Sequence, residues 1–290
     1  MDKVSKASSG KFKETFMYIL FLIAACASIL SVALICIFLF QRGIPAIAEI
    51  GAGEFLGGTR WKPLQNLFGI FPMIIGSIYV TAGAIIVGVP IGILSAVFLA
   101  KFCPPKLYGI IKPAVDLMAG IPSIVYGFFG LVVIVPIMQN LFGGSGKNML
   151  TASILLGIMI LPTIINVSES ALRAVPEQYY EGSLALGATP ERSAFAVVLP
   201  AAKSGVLAGV ILGVGRAIGE TMAVVMIAGN QAVVPDSLLD GVRTMTANIV
   251  LEMGYASDLH QDALIATGVV LLVFILIINL CFSLLKRKES

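Results

Sequence analysis

Six long apolar stretches alternate with short polar segments along the chain, near positions 16–40, 70–100, 109–138, 149–167, 205–228 and 262–285. A helix that crosses a bilayer needs roughly 20 apolar residues. The pattern therefore predicts an all-α polytopic membrane protein with about six transmembrane helices. The second and third stretches are long enough to tilt, to kink at Pro90, Pro113 or Pro122, or to run past the interface. Composition agrees: 58% of residues are hydrophobic and 12% charged, where a soluble domain carries about 25% charged residues.

Basic residues orient the spans. Lys3, Lys6, Lys11 and Lys13 precede the first, Lys101, Lys106 and Lys112 follow the second, Arg173, Arg192 and Lys203 follow the fourth, and Lys286, Arg287 and Lys288 end the chain. The opposite side holds Arg42, Arg60, Lys62, Lys147 and Arg243, about thirteen against five, with Arg216 left inside a span. The positive-inside rule places both termini and the segment 168–204 in the cytoplasm, an N-in/C-in arrangement consistent with an even number of spans. Ile23-Ala24-Ala25-Cys26 resembles a lipoprotein cleavage box, but the apolar run continues through Phe40, past a signal h-region, so the first span is expected to be retained.

Little in the chain suggests catalysis. Cys26, Cys36 and Cys281 lie in spans and Cys103 on the cytoplasmic side, which makes no disulfide framework and no metal spacing. The one histidine, His260, falls in an outer loop and is expected to be solvated. Gly143-Gly144-Ser145-Gly146-Lys147 lacks the spacing of a nucleotide-binding loop and lies on the outer side, so it is expected to be a flexible turn.

The segment 168–204 is a polar island with helix punctuation. Glu177 to Leu186 are mostly good helix formers, and Gly187 can take the left-handed conformation that ends a helix. Thr189-Pro190-Glu191 restarts one, with threonine as N-cap, proline in the first turn and glutamate at the positive end. Pro200 is expected to break the chain before the fifth span. Helix, turn, helix and break make a compact L-shaped finger, or else an ordinary pair of interfacial helices.

Arg216 lies near the centre of the fifth span, where an arginine costs about 3 kcal/mol on insertion scales. Glu220 follows one turn later and can pair with it along one helix face. Gly205, Gly209, Gly213, Gly219 and Ala223 share that face, within about 60° on the helical wheel. A face of small residues suits either a polar crevice or close helix packing. A guanidinium offers forked donors that match a tetrahedral oxyanion, so Arg216, Glu220, Thr221 and Ser123 are candidate substrate-path residues; a purely structural Arg216–Glu220 pair is the alternative. Ala119-Gly120-Ile121-Pro122-Ser123 interrupts the third span, either as a proline kink or with a helix restarting at Ser123. Asp116, Asn166 and Glu169, near the inner ends of spans, are expected to cap helices or face interfacial water.

Two sets of motifs resemble known families. Glu181-Gly182-Ser183-Leu184-Ala185-Leu186-Gly187, with Val197-Val198-Leu199-Pro200 at a fixed distance, resembles the EAA loop of ATP-binding-cassette importer permeases. Glu181, Gly187, Val197, Leu199 and Pro200 match all five of its places, while Gly182 and Ser183 replace two alanines. Four further stretches resemble the inorganic phosphate permeases, the PstC/PstA family. They are Trp61-Lys62-Pro63 with Phe68-Gly69-Ile70-Phe71-Pro72, Ala119 to Gly127, Glu181 to Thr189, and Arg216-Ala217-Ile218-Gly219-Glu220-Thr221. The segment before span two is more similar to PstC than to PstA.

The resemblance implies a type I ABC permease fold, with a tail, first span and outer loop over 1–69, a permease domain over 70–285 and a basic tail over 286–290. It implies inward phosphate transport across the bacterial inner membrane. The partners implied are a PstA-like second permease, two ATP-binding cassette subunits and an extracytoplasmic phosphate-binding protein. Glu181, Gly182, Ser183, Gly187, Ala188, Leu199 and Pro200 would couple to the ATPases. No enzymatic activity, cofactor or nucleic-acid contact of its own is implied. Asp236, Asp240, Glu252, Asp258 and Asp262 outweigh Arg243 on the outer side and either dock the binding protein or are simply solvated. A permease for molybdate or sulfate, an ion-gradient-driven carrier and a scaffold in phosphate sensing are the alternatives.

Overall fold

The computed structural model describes residues 2–288; Met1, Glu289, Ser290 and the side chains of the basic residues in both tails lie outside the described residues. Helix α1, Asp2–Ile50, is one continuous helix of 49 residues, longer than the apolar run within it. Its large side chains from Phe16 to Phe38 are exposed, which suits a helix standing in hydrocarbon. Gly51, at φ 92, ends it. A short helix α2, Ala52–Gly57, leads into an antiparallel hairpin of β1, Trp61–Lys62, and β2, Leu67–Phe68, with Trp61 opposite Phe68.

Helix α3, Phe71–Val97, continues into a π turn, Phe98–Phe102. Helix α4, Pro105–Gly120, then stops, and α5, Ser123–Phe129, restarts the third span, running through a π turn at Gly130–Ile134 into α6, Val135–Phe142. Helix α7, Met149–Arg173, is the central span, capped by Asn148, which accepts from the Thr151 N–H. Next come α8, Glu177–Ala185, α9, Pro190–Ser193, a π turn at Ala194–Val198, and α10, Leu199–Ala201. Helix α11, Lys203–Gly219, and α12, Met222–Ile227, form the interrupted fifth span. Helix α13, Met245–Glu252, and the last span α14, Asp258–Lys288, complete the chain.

Among the described residues, five helices are long and apolar enough to cross a membrane, and six if the bent pair Pro190–Ala201 and Lys203–Gly219 counts as one. The third span, placed over 109–138 with either a kink or a restart near Pro122, restarts at Ser123, and the candidate span is Ser123–Phe142. The clash of a proline ring with the residue before it disfavours helix there; Ile121 is extended, at φ −68 and ψ 127, and α4 ends instead of kinking.

The core forms where α3, α7 and α11 cross. An added Cβ on Gly88 would meet the Gly157 carbonyl and Ile160, and one on Gly92 would meet Ile164. Gly205, Gly209 and Gly213 of α11 likewise lie against Ala171, Ser168 and Ile164 of α7. These three glycines thus serve close helix packing and not a crevice. Their share of the α11 face is filled by α7.

Cysteine labelling checks the orientation. On a background without native cysteines, Gly187→Cys should react only with reagent supplied from the cytoplasmic side, and Lys62→Cys only from outside. Labelling of position 187 in sealed cells would contradict the six-span arrangement.

Candidate functional site

The finger between α7 and α11 is built by local capping. The Gly187 N–H donates to the Leu184 carbonyl at 2.9 Å and the Ala188 N–H to the Ser183 carbonyl at 3.2 Å, the paired bonds of a Schellman ending. Gly187 has φ +88, and nothing lies within 4 Å of where its Cβ would be. Glycine is needed there for conformation and not for space. Thr189 then caps α9 by accepting from the Arg192 N–H at 3.3 Å. Ser193, fully buried, donates to Ser183 at 2.9 Å and joins the two arms of the finger. That contact gives Ser183 a structural part that its sequence context does not announce.

The break after the finger falls two residues beyond its expected place. Pro200 sits early in α10, and the preceding π turn accommodates its missing N–H. The chain bends by 75° at Ala202, between Pro190–Ala201 and Lys203–Gly219. Leu199 is half-buried at the finger's base, against a cluster holding Val97, Leu172, Val198 and Val206. Glu181, Gly182, Leu186 and Gly187 are exposed at its tip, Leu186 at 91%. Lys101 pairs with Glu177 at 2.8 Å and stands 4.9 Å over the Tyr180 ring, tying α8 to the end of α3.

Arg216 and Glu220 do not pair. Helix α11 ends at Gly219, and Glu220 is extended, at φ −67 and ψ 134. Its Oε1 accepts from the Ala223 N–H at 3.2 Å, and its carbonyl accepts from the Thr246 hydroxyl at 3.0 Å. The carboxylate thus turns to the start of α12, and helical spacing no longer relates the two charges. Arg216 is half-buried and donates Nη1 to Thr163 Oγ1 at 3.5 Å, a long bond that leaves most of its five N–H donors unused among the described residues. Beside it, Gly215 and Gly219 border open space. Thr221 donates to the Gly219 carbonyl at 3.1 Å. Ser123 opens α5, and α5 packs on α12 where Gly127 meets Ala223 and Met226. The two interrupted spans therefore lie side by side.

A family model described as binding-protein-dependent transport system inner membrane component matches residues 88–289. The chain belongs to this permease family. It is 38% identical over 280 residues to the probable ABC transporter permease protein YqgH of Bacillus subtilis, covering 92% of this chain and 90% of that protein. It is 36% identical over 278 residues to the phosphate transport system permease protein PstC of Mesorhizobium japonicum, covering 88% and 85%. In fold it is similar to a chain of the inward-facing MetNI methionine ABC transporter, with TM-score 0.61 and 21% identity over 80% of this chain and all of that one. The binding-protein-dependent permease is therefore a multi-pass membrane protein of the type I ABC permease fold.

The permease's outer face differs from expectation. Glu252 is buried and accepts from Trp61 Nε1 at 2.8 Å and Arg243 Nη1 at 2.6 Å, with His260 Nε2 at 2.9 Å. Arg243 also donates to the Asn230 carbonyl and to Asn248 Oδ1, each at 3.0 Å. His260 is no solvated bystander; its ring also meets Trp61 edge-on at 6.1 Å. Asp262 pairs with Arg42 at 2.6 Å, and Asp240 accepts from the N–H groups of Asp236 and Ser237. Three of the five outer acids are thus engaged within the chain, while Asp236 and Asp258 are exposed. Breaking a buried pair costs about 3–5 kcal/mol, so Glu252→Ala should lower the melting temperature markedly and reduce recovery of folded permease; unchanged thermal stability would contradict the structural role.

Proposed function

We propose that this chain is the PstC-like permease subunit of an ATP-driven importer that carries inorganic phosphate inward across the bacterial inner membrane. It works with a PstA-like permease, two ATP-binding cassette subunits and an extracytoplasmic phosphate-binding protein. The observation that carries the reading is the under-used guanidinium of Arg216, beside open space at the end of a broken span, in a chain whose relatives include permeases named for phosphate. Forked donors in a low-dielectric path suit a tetrahedral oxyanion. Arg216 lines the path, with Thr221 and Ser123 at the two helix breaks, while Glu220 holds the start of α12. The finger tip, from Glu181 to Ala188, docks on the ATPases, and Leu199 and Pro200 seat its base.

The test is ATPase stimulation of the purified complex by its binding protein across phosphate, sulfate and molybdate. Phosphate alone should stimulate. Equal stimulation by sulfate or molybdate would make the chain a permease for another oxyanion.

A further inference from the structure

At the inner end of the bundle, α4, α7 and the end of α3 meet around one carboxylate. Glu169 is 2% exposed. Tyr108 donates its hydroxyl to it at 2.8 Å, Arg173 donates Nε at 2.7 Å, and the Lys112 ammonium stands 3.0 Å from Oε2. Lys112 also donates to Asn166 Oδ1 at 2.8 Å, and Asn166 in turn donates to Asp116 Oδ1 at 2.9 Å. Arg173 gives Nη2 to the Leu99 carbonyl at 2.8 Å and lies 4.6 Å over the Tyr108 ring. Lys112 and Arg173 balance Asp116 and Glu169 in charge. Glu169 and Asn166 are thus parts of one cluster and not caps or solvated ends, while Asp116 stays exposed, as its position near the interface suggested, and accepts from Asn166.

The polar cluster adds to a modest apolar contact between α4 and its neighbours. Val115 is the one buried residue of α4, and the apolar contact there is Leu99, Val115 and Ile165 with half-buried Cys103, Tyr108, Ile111 and Leu161 packed against them. Tyr108, Lys112 and Asp116 come from α4, whereas Asn166, Glu169 and Arg173 come from α7. On one side of the cluster, Lys101 of the same π turn as Leu99 meets Glu177 in the first turn of α8. On the other, α4 runs to the break at Ile121-Pro122, where Tyr126 of α5 donates to the Met118 carbonyl at 2.9 Å across the gap.

We propose that Glu169 is a positioning residue that clamps α4 to α7, so that α4, the helix that leads into the third span at Ser123, travels with the finger as one body. Removing a partner from a buried, paired charge leaves the other uncompensated, so the clamp favours α4 staying with α7 when α8 is pushed. Loss of the clamp lets the finger move without carrying α4. The proposal rests on the reading of α8 as the element that meets the ATPases.

The test uses the full complex with spin labels at Lys106→Cys and Gln178→Cys, both exposed sites, on a background without native cysteines. With Glu169 intact, the distance between the labels should be the same in nucleotide-free and ATP-trapped complex. In Glu169→Gln it should shift or broaden on trapping, and phosphate imported per ATP should fall roughly tenfold, the size of change that residues remote from both sites produce. A distance that changes with Glu169 intact overturns the proposal, as does one that stays constant in both proteins. If Glu169→Gln does not assemble, Tyr108→Phe with Lys112→Met removes both α4 contacts to Glu169, leaves it paired with Arg173, and is read in the same way. The distance needs no phosphate import, so a complex that carries another anion tests the clamp equally well.

Discussion

Arg216→Ala abolishes phosphate uptake while the complex still assembles and hydrolyses ATP: that is the largest effect expected of any single substitution in the permease. Losing one partner of a desolvated, hydrogen-bonded charge pair costs about 2–5 kcal/mol, so uptake should fall at least about 30-fold by the usual conversion of free energy to rate. Arg216→Lys keeps the charge but loses the fork, and should restore uptake only in part or not at all. Glu220 now carries a separate expectation. Because it accepts from the Ala223 N–H, Glu220→Ala should cost about 1 kcal/mol through a weakened helix start. The double substitution should then be no better than Arg216→Ala alone. Rescue of transport by the double mutant would return the two residues to a structural pair and remove Arg216 from the path.

Gly187→Val should stop transport and binding-protein-stimulated ATP hydrolysis together, with the protein still inserted. Its φ of +88 lies where a side chain is strained by about 1–3 kcal/mol, and a β-branched residue is the poorest fit. The strain is relieved by opening the turn, which moves Thr189 and separates Ser193 from Ser183. Gly187→Asn is the informative companion, since asparagine tolerates the left-handed region. It should retain much more transport than valine, because open space surrounds the site. Equal loss in both would make a crowded contact with a partner, and not backbone conformation, the reason for glycine. Glu181→Lys, at the exposed tip, should weaken docking of the ATPase by reversing a local charge.

Local features were legible in the sequence and long-range ones were not. The end of α8 at Gly187 and the start of α9 at Thr189-Pro190 depend on residues a few positions apart, and they stand where their types indicate. The Arg216–Glu220 pair failed because spacing of four presumes an unbroken helix. The break at Glu220-Thr221 is held by Ala223 and by Thr246, which lies 26 residues away. Pro200 misled for a related reason: a π turn absorbed its missing donor, and the bend moved to Ala202. The Trp61–Glu252 bond joins residues 191 positions apart, and no spacing rule reaches that far. Around Glu169, only the Arg173 contact follows helical spacing; Tyr108 and Lys112 arrive from another helix.

The central claim is that this permease moves phosphate inward at the expense of ATP. Its most direct measurement is uptake of radiolabelled phosphate by proteoliposomes holding the permease, its partner permease and the ATPases, with binding protein outside and ATP inside. Uptake that requires ATP and binding protein, resists ionophores, and is lost in Arg216→Ala is the expected result. Uptake that persists without ATP and follows an imposed ion gradient would contradict it.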